Sequence, residues 1–516
     1  MMRTLRGRRN AARRHQDLSH RPHLESLEVR SLLSGAGSLD PTFGSGGIAV
    51  NSLPGGGSVA IQGDGKILTT ASVSGGGSFS KNWGALIRFN AVGTLDTSFG
   101  SGGTAVARLS RSLGSSVNAV ALQGDGKIVV AGSTDTGKTA GLDFFLARFN
   151  SNGTLDSTFG SGGLVHTDVG STNESANALV IQPDGKLVAV GFTGVNGASE
   201  PAAVRYNANG SLDTSFGKSG KLSFLVDGPG WFNGVALQAD GKIVAVGAAG
   251  AAGDDQWVIV RYTTGGVLDP SFGTGGAVRE FPAGNATAAT NEANGVAVQP
   301  DGKLVVTGPT ISANSEVAEL IRLNVEVSGQ TDGSLDTTFG QGGIVTTAVA
   351  GTSDDALALA LQADGKIVVA GYESGTSESS LLARYHVGVV GQTDGSLDST
   401  FGQGGIVTTP GPGTGSLAEA VAIYPTTDLT NGGKIVATGH YSDGLMAARY
   451  FGSATTSMAT ATLAQPAPAK TSPAPQPAAT LAGIPLTVLT DHVLADGETG
   501  TDWLLPLVHR RSVKGR

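Results

Sequence analysis

Seven copies of one short motif recur along this chain of 516 residues, and they leave few folds open to it. The first copy reads Ser38-Leu39-Asp40-Pro41-Thr42-Phe43-Gly44-Ser45-Gly46-Gly47. Its Leu-Asp pair ends at Asp40, and the later pairs end at Asp96, Asp156, Asp213, Asp269, Asp336 and Asp398. Successive spacings are 56, 60, 57, 56, 67 and 62 residues. A period of this length implies one supersecondary unit per copy, each burying its faces against its neighbours.

Two further motifs keep step with the first. Asp64-Gly65-Lys66 recurs at Asp125, Asp184, Asp240, Asp301 and Asp364, and the seventh unit has Asn431-Gly432-Gly433-Lys434 instead. An arginine followed by a large apolar residue recurs at Arg88, Arg148, Arg205, Arg261, Arg322, Arg384 and Arg449. In the second unit, Gly103–Val106 reads as a first strand, Val117–Gln123 as a second, Lys127–Gly132 as a third and Phe144–Phe149 as a fourth. Short Val-, Ile- and Leu-rich runs bounded by Gly and Asp carry the β signal. The Pro-Asp-Gly form at 183–185 and 300–302 marks a hairpin, because Pro presets the turn and Gly accepts positive φ. The Leu-Asp-x-x-Phe-Gly segment is expected between the fourth strand of one unit and the first of the next, with its Leu and Phe in the seam.

Four strands per unit, seven times over, predict an all-β fold: a seven-bladed β-propeller of four-stranded blades spanning residues 38–452. Units start near 38, 94, 154, 211, 267, 334 and 396. A ring covers both faces of every sheet, whereas an open stack needs polar caps, and none flank this region. The last unit ends at Tyr450-Phe451 with no Leu-Asp-x-x-Phe-Gly segment after it, so closure would let the first copy serve the last blade. The 80 glycines recur at fixed offsets between apolar runs, as turns demand, and do not signal low complexity.

The three motifs together resemble the delta-60 repeat family of bacterial, propeller-like repeats. That resemblance implies the fold and a secreted or surface setting, and it implies no single activity. The fifth and sixth units depart from it through inserts at Val325–Asp332 and Val387–Asp394, and the seventh departs at Tyr424–Gly433. Leu27-Glu28-Val29-Arg30-Ser31-Leu32-Leu33 is similar to the LEPR-x-LL motif of exported bacterial proteins, with Val29 where Pro is expected. Val488-Leu489-Thr490-Asp491 and Asp502-Trp503-Leu504-Leu505 resemble the short C-terminal segment of such surface proteins.

Charge is unevenly spread. Residues 1–37 carry eight Arg against Asp17, Glu25 and Glu28, a net of +5, which leaves −13 for the remainder. An acidic body argues against nucleic-acid binding, which needs a basic surface. The basic head reads as a targeting segment. No apolar run approaches the roughly 18 residues of a transmembrane helix, and the head lacks a secretory apolar core of roughly 7–15 residues. Residues 453–480, rich in Ala, Thr and Pro, read as an extended linker, and 481–516 as a short tail. Both flanks are expected to be disordered.

Little in the repeats looks catalytic. With no cysteine there is no thiolate nucleophile and no disulfide. His166, His386 and His440 sit at different offsets and read as strand-face residues. Gly217-Lys218-Ser219 fails as a phosphate loop, because Leu212 stands where Gly is required. Calcium is weakly supported: it wants roughly six to eight oxygens, and the acidic pairs Asp254-Asp255 and Asp354-Asp355 read as solvated loop residues. No catalytic, metal or cofactor-binding residue is assigned. The seven arginines could ring a central channel and bind anions. The favoured reading pairs the arginine with the Asp eight residues on in four units, as in Arg88 with Asp96 or Arg148 with Asp156, through a bidentate fork, and the inserted units loop out between the partners.

Near-identity of Gln330–Thr347 and Gln392–Thr409 points to interchangeable units. Such units suit a scaffold better than a one-site enzyme. The expected function is therefore a non-enzymatic, exported or surface-associated scaffold that binds a protein or polysaccharide. Segments 71–83, 133–143, 192–201, 248–256 and 309–318 are the candidate loops. The rivals are a lyase or hydrolase with its site at one channel mouth, and a purely structural envelope protein.

Overall fold

The computed structural model describes residues 35–453 apart from 76–80, 110–112, 138–140, 171–172, 196–197, 224–227, 252–253, 281–290, 313–314, 350–352, 376 and 414. The basic segment up to residue 34 with its Leu27–Leu33 motif, the stretch from 454 and the tail to 516 lie outside the described residues.

Seven four-stranded antiparallel sheets form seven blades of a propeller. Blade 2 is representative. Its inner strand is Ala119–Leu122, its second Ile128–Asp135, its third Leu142–Phe149 and its outer strand Leu164–Thr167. The blade is offset from the sequence unit. Thr104–Ala107, read above as a first strand, is the outer strand of blade 1 and pairs with Asn82–Phe89. The Leu-Asp-x-x-Phe-Gly segment thus joins the third and outer strands of one blade, not one blade to the next. Its turn explains why: Gly103 N–H donates to Phe99 O and Arg88 N–H donates to Gly103 O, which folds the chain back onto its own sheet.

The Asp-Gly-Lys hairpins form as expected between inner and second strands. Gly65 N–H donates to Gln62 O, Gly65 takes φ 80°, and Lys66 N–H donates to Asp64 Oδ1 at 3.2 Å.

Each strand alternates between two seams. In blade 3, Val188 and Val190 pack with Val235 and Ala245 of blade 4, while Leu187 and Ala189 pack with Val129 and Ala131 of blade 2. Both faces are buried, so the central strands read as nearly unbroken apolar runs. The core is a set of seams between sheets.

The ring closes through the first strand of the chain. Ile48–Asn51 is the outer strand of blade 7 and pairs with Leu445–Ala448. Gly402 N–H donates to Ala36 O and Gly37 N–H donates to Phe451 O, so residues 36–51 complete a blade whose other strands lie between residues 420 and 450. No helix among the described residues is long and apolar enough to cross a membrane.

Candidate functional site

The two mouths of the ring differ in kind. One carries the Asp-Gly-Lys hairpins and the turns between third and outer strands. There the repeat motifs converge into one node per blade. In blade 2, Arg148 Nε donates to Asp156 Oδ2 at 2.8 Å, and Lys127 Nζ lies 3.1 Å from the same oxygen. The other oxygen, Oδ1, accepts from Thr158 N–H and Oγ1 at 3.1 and 2.7 Å. The guanidinium lies over the Phe159 ring, 4.7 Å from its centroid. Arg148 Nη1 crosses the seam and donates to Ala208 O of blade 3 at 2.5 Å.

All seven repeat arginines meet a repeat aspartate. Arg88–Asp96, Arg205–Asp213, Arg261–Asp269, Arg322–Asp336, Arg384–Asp398 and Arg449–Asp40 meet at 2.7–2.9 Å. The expected bidentate fork does not form. The second carboxylate oxygen is held by the Ser or Thr two residues on, so arginine reaches only one. Nor do the arginines line a channel, because all seven are buried in the seams.

The inserts acquire a role here. Arg261 Nη2 donates to Asp332 Oδ2 at 2.7 Å and Arg322 Nη1 to Asp394 Oδ2 at 2.9 Å. Each insert thus sends a carboxylate to the preceding blade, where the shorter units offer a backbone carbonyl: Ser151 to Arg88, Thr264 to Arg205 and Ala91 to Arg449.

Burial opposes ionisation of the node carboxyls, but hydrogen bonds and the adjacent cations more than offset it. For Asp40, bonds from Lys434 and Thr42 and the charge of Arg449 bring the pKa down to about 2. For Asp96, burial is again outweighed, by Ser98, Arg88 and Lys66, and the value is about 2. Asp156, Asp213, Asp269, Asp336 and Asp398 are lowered by the same balance. In the six Asp-Gly-Lys blades the lysine also contacts its own turn Asp, so two cations face two carboxylates, and in blades 4 and 5 the insert carboxylates Asp332 and Asp394 add a third.

Sequence reasoning missed parts of this unit. The residue two before each Asp-Gly-Lys is Gln62, Gln123, Gln182, Gln238, Gln299 or Gln362. Three of these accept from the node arginine: Gln62 and Gln362 at 3.3 Å, Gln123 at 3.4 Å. Glycine stands five residues after the repeat lysine in six units, at Gly132, Gly191, Gly247, Gly308, Gly371 and Gly439. A Cβ there would lie 1.8–2.2 Å from a carbonyl of the inner strand. Ala71 holds this place in blade 1, and that inner strand shifts register between Gly55 and Val59.

The opposite mouth carries the ends of the second and third strands. The described residues of segments 71–83, 133–143, 192–201, 248–256 and 309–318 lie here, and strands extend into all of them; 76–80, 138–140, 196–197, 252–253 and 313–314 lie outside the described residues. Here equivalent positions differ from blade to blade. Seven residues before the repeat Gln stand Gly55, Ser116, Ser175, Trp231, Glu292 and Asp355, with Leu417 in blade 7. Six after the repeat lysine stand Ser72, Ser133, Phe192, Ala248, Pro309, Tyr372 and His440. These two rows face each other across the inner pair of strands, as in Ser175 opposite Phe192 and Asp355 opposite Tyr372.

Carboxylates dominate this mouth, among them Asp143, Glu174, Glu292, Asp354, Asp355 and Glu419, all buried or nearly so. Asp354 and Asp355 therefore belong to the inner strand of blade 6, not to a solvated loop, and Asp255 is half-buried in the third strand of blade 4. Glu174 accepts from Val169 N–H at 2.8 Å and from Thr193 Oγ1 at 3.0 Å, tying down the link from blade 2. Burial still holds its pKa above the ordinary value. Glu292 Oε2 accepts from Trp231 Nε1 at 3.1 Å and Asn233 Nδ2 at 3.2 Å across the seam between blades 4 and 5.

The three histidines sit on or just after strands, and each lies beside a carboxylate. His166 is 3.3 Å from Asp143, His386 is 3.5 Å from Asp398 in the blade 6 node, and His440 is 2.9 Å from Glu419. No group of three or more His, Asp or Glu among the described residues is placed to hold a metal ion. Lys218 and the adjacent Ser219 belong to the Phe-Gly turn of blade 3, where Lys218 N–H donates to Lys221 O.

Six stretches match the family model described as a domain of unknown function (DUF5122) beta-propeller: residues 62–99, 123–159, 182–216, 238–272, 299–339 and 362–401. Each runs from the repeat Gln to the phenylalanine beneath the node arginine. The seventh node has no continuous stretch, because Arg449 and Asp40 lie at opposite ends of the repeat region. No curated protein matches the chain in sequence. Similar solved structures include a protein of unknown function from Dyadobacter fermentans, 13% identical over 64% of this chain and 94% of that one, TM-score 0.40. The polysaccharide lyase Uly1 is 15% identical over 77% and 90% of the two chains, TM-score 0.40. Drosophila Semaphorin 1b, extracellular domains 1-2, is 10% identical over 81% and 87%, TM-score 0.43. The chain is a closed seven-bladed propeller, and six of its blades carry a stretch that matches that β-propeller family model.

Proposed function

We propose that this protein is a non-catalytic binding scaffold whose ligand, a protein or polysaccharide, sits on the variable mouth. One observation carries this reading. The same two rows of positions hold Ser, Trp, Glu, Asp, Leu, Phe, Pro, Tyr and His around one mouth, while the other repeats one Arg–Asp node. Partly buried positions such as Trp231, Phe192, Tyr372 and His440 can vary at less cost to the fold than the seams, and diversified side chains on a rigid frame suit recognition. We place the protein outside the cell or on its surface. The basic segment 1–37 and its likeness to the LEPR-x-LL motif support that, as does the likeness of the repeats to the delta-60 family.

The test compares two variant sets against a panel of purified proteins and polysaccharides by interferometry. One set carries Trp231→Ser, Glu292→Ser and Asp355→Ser, and the other carries Asp64→Ser, Asp125→Ser and Asp184→Ser at the uniform mouth. Binding lost in the first set and kept in the second is expected. Loss only in the second set, or turnover of a bound polysaccharide, overturns the reading. For localisation, recovery solely with cytosolic markers on fractionation refutes export.

A further inference from the structure

At the uniform mouth, the seam between blades 3 and 4 holds an open cavity of about 490 Å3. Blade 3 lines it with Gln182, Pro183, Lys186 and Arg205, and blade 4 with Thr264 and Gly265. Sites for small molecules measure roughly 300–1,000 Å3, so its size suits one.

One residue opens it. In the turn after the third strand, blades 1, 2 and 3 carry Val92, Asn152 and Asn209 where blade 4 carries Gly265. A Cβ at Gly265 would meet only Thr263 Oγ1, at 3.9 Å, so space lies beyond it. Bonds across the seam fix the walls. Gly217 N–H of blade 3 donates to Gly265 O at 2.9 Å, and Arg205 Nη1 donates to Thr264 O.

The same seam breaks the bonding pattern of the repeat. In blades 1, 2 and 6 the repeat Gln accepts from the node arginine at Nη1, at 3.3–3.4 Å. Gln182 is 9% exposed, and its buried Oε1 accepts no hydrogen bond. Gln238 and Gln299 share that condition, but in their blades an insert carboxylate, Asp332 or Asp394, has taken the arginine. In blade 3 no carboxylate intervenes. Arg205 Nη1 carries two hydrogens and gives one to Thr264. A buried acceptor without a donor is costly, and a ligand that supplies the donor removes that cost.

Charge narrows the ligand. Lys186 Nζ lies 3.5 Å from Asp184 and 3.2 Å from Asp213, and Arg205 Nε lies 2.8 Å from Asp213. Two cations offset two carboxylates, so no net charge is left to hold an ion. What opens on the cavity is an amide oxygen and a guanidinium hydrogen. A primary carboxamide presents the complement of both, N–H and C=O, on one edge. Pro183 gives its carbon frame an apolar wall.

We propose that this cavity binds a small uncharged molecule carrying a primary carboxamide. The ligand N–H donates to Gln182 Oε1, and its carbonyl accepts from Arg205 Nη1. The site lies at the mouth opposite the variable rows and is independent of any ligand held there.

The experiment titrates benzamide, benzoate and acetophenone against the full chain by saturation-transfer NMR, with thermal melting of each variant. Benzamide is expected to bind at least tenfold more tightly than either analogue. Acetophenone lacks the N–H, and benzoate lacks it and carries a charge; a site built to bond an N–H rejects the analogue without one. Gly265→Asn gives blade 4 the residue that blades 2 and 3 carry. It should fill the cavity and weaken benzamide binding at least tenfold without lowering the melting temperature. Gln182→Met removes the acceptor at similar size and should weaken binding as much from the other wall, which keeps the test decisive if Gly265→Asn folds poorly. The inference fails if benzamide does not bind, if acetophenone or benzoate binds as tightly, or if a folded Gly265→Asn or Gln182→Met retains wild-type affinity.

Discussion

Arg449 and Asp40 stand 409 residues apart in the chain and 2.8 Å apart in the fold. This contact is the seventh copy of a bond that the other blades make within 8 or 14 residues. Lys434 Nζ shares the same oxygen at 2.8 Å. A local motif has thus become the clasp of the ring.

Asp40→Asn should therefore be more damaging than its place near the start of the propeller implies. It leaves Arg449 and Lys434 facing an uncharged partner in a buried seam. Breaking a buried pair from one side costs about 3–5 kcal/mol. Urea unfolding followed by intrinsic fluorescence should show that loss. A midpoint equal to wild type would mean that strand pairing by Ile48–Asn51 closes the ring unaided.

Arg148→Ala tests an interior node. It removes the bond to Asp156, the contact with Phe159 and the link to Ala208 of blade 3. Asp156 keeps Thr158 and Lys127 as partners, so the expected loss is at the lower end, about 3 kcal/mol. Wild-type melting of this variant would refute a structural role for the arginine ring.

The blade count, the Asp-Gly turns and the four Arg–Asp pairs eight residues apart were legible because they repeat at fixed offsets and are satisfied locally. The assignment of strands to blades was not. A short strand after the Phe-Gly turn looks the same whether it pairs backward or forward, and only Gly103 with Phe99 and Arg88 decides it. Lysine reads locally as a turn residue, yet its amine reaches the node Asp in the turn between the third and outer strands. Gln62 and its equivalents were overlooked because their arginine lies 22–26 residues away, beyond any local period. Asp354 and Asp355 read as loop residues by composition, but the inner strand of blade 6 runs through both. The pairing of His440 with Glu419 needs the hairpin register of blade 7, which no motif announces.

Acid should unfold this protein through its nodes. Asp40 and Asp96 titrate at about 2 in the folded state, against an ordinary value of 3.8. A lowered folded pKa stabilises the fold fully above the ordinary value. That contribution declines as pH falls below about 4 and is gone once pH passes the folded value. Each such Asp contributes on the order of 2 kcal/mol at neutral pH, and all seven are lowered. Urea midpoints should hold from pH 7 to 5 and drop steeply between pH 4 and 2. In Asp40→Asn that drop should be shallower, because one titrating group is gone. A slope identical to wild type would detach the acid response from the node at the clasp.

Gly247→Ala probes one of these close approaches within a blade. A Cβ at this position would lie 2.0 Å from Trp231 O and 2.7 Å from Phe232 Cα, both on the inner strand. Backbone cannot swing aside as a side chain can, so the inner strand of blade 4 must move, at a cost of about 1–3 kcal/mol. Blade 1 shows how the strain is relieved: Ala71 sits there naturally, opposite Gly55, where the register shifts. Blade 4 already carries a bulge between Phe232 and Gly234, so widening it is the available escape. That movement would carry Trp231 away from Glu292 and disturb the variable mouth. Gly247→Ala is thus expected to lower the melting temperature and shift the Trp231 indole resonance together. A variant that melts lower with the indole signal unmoved would place the strain in the seam instead.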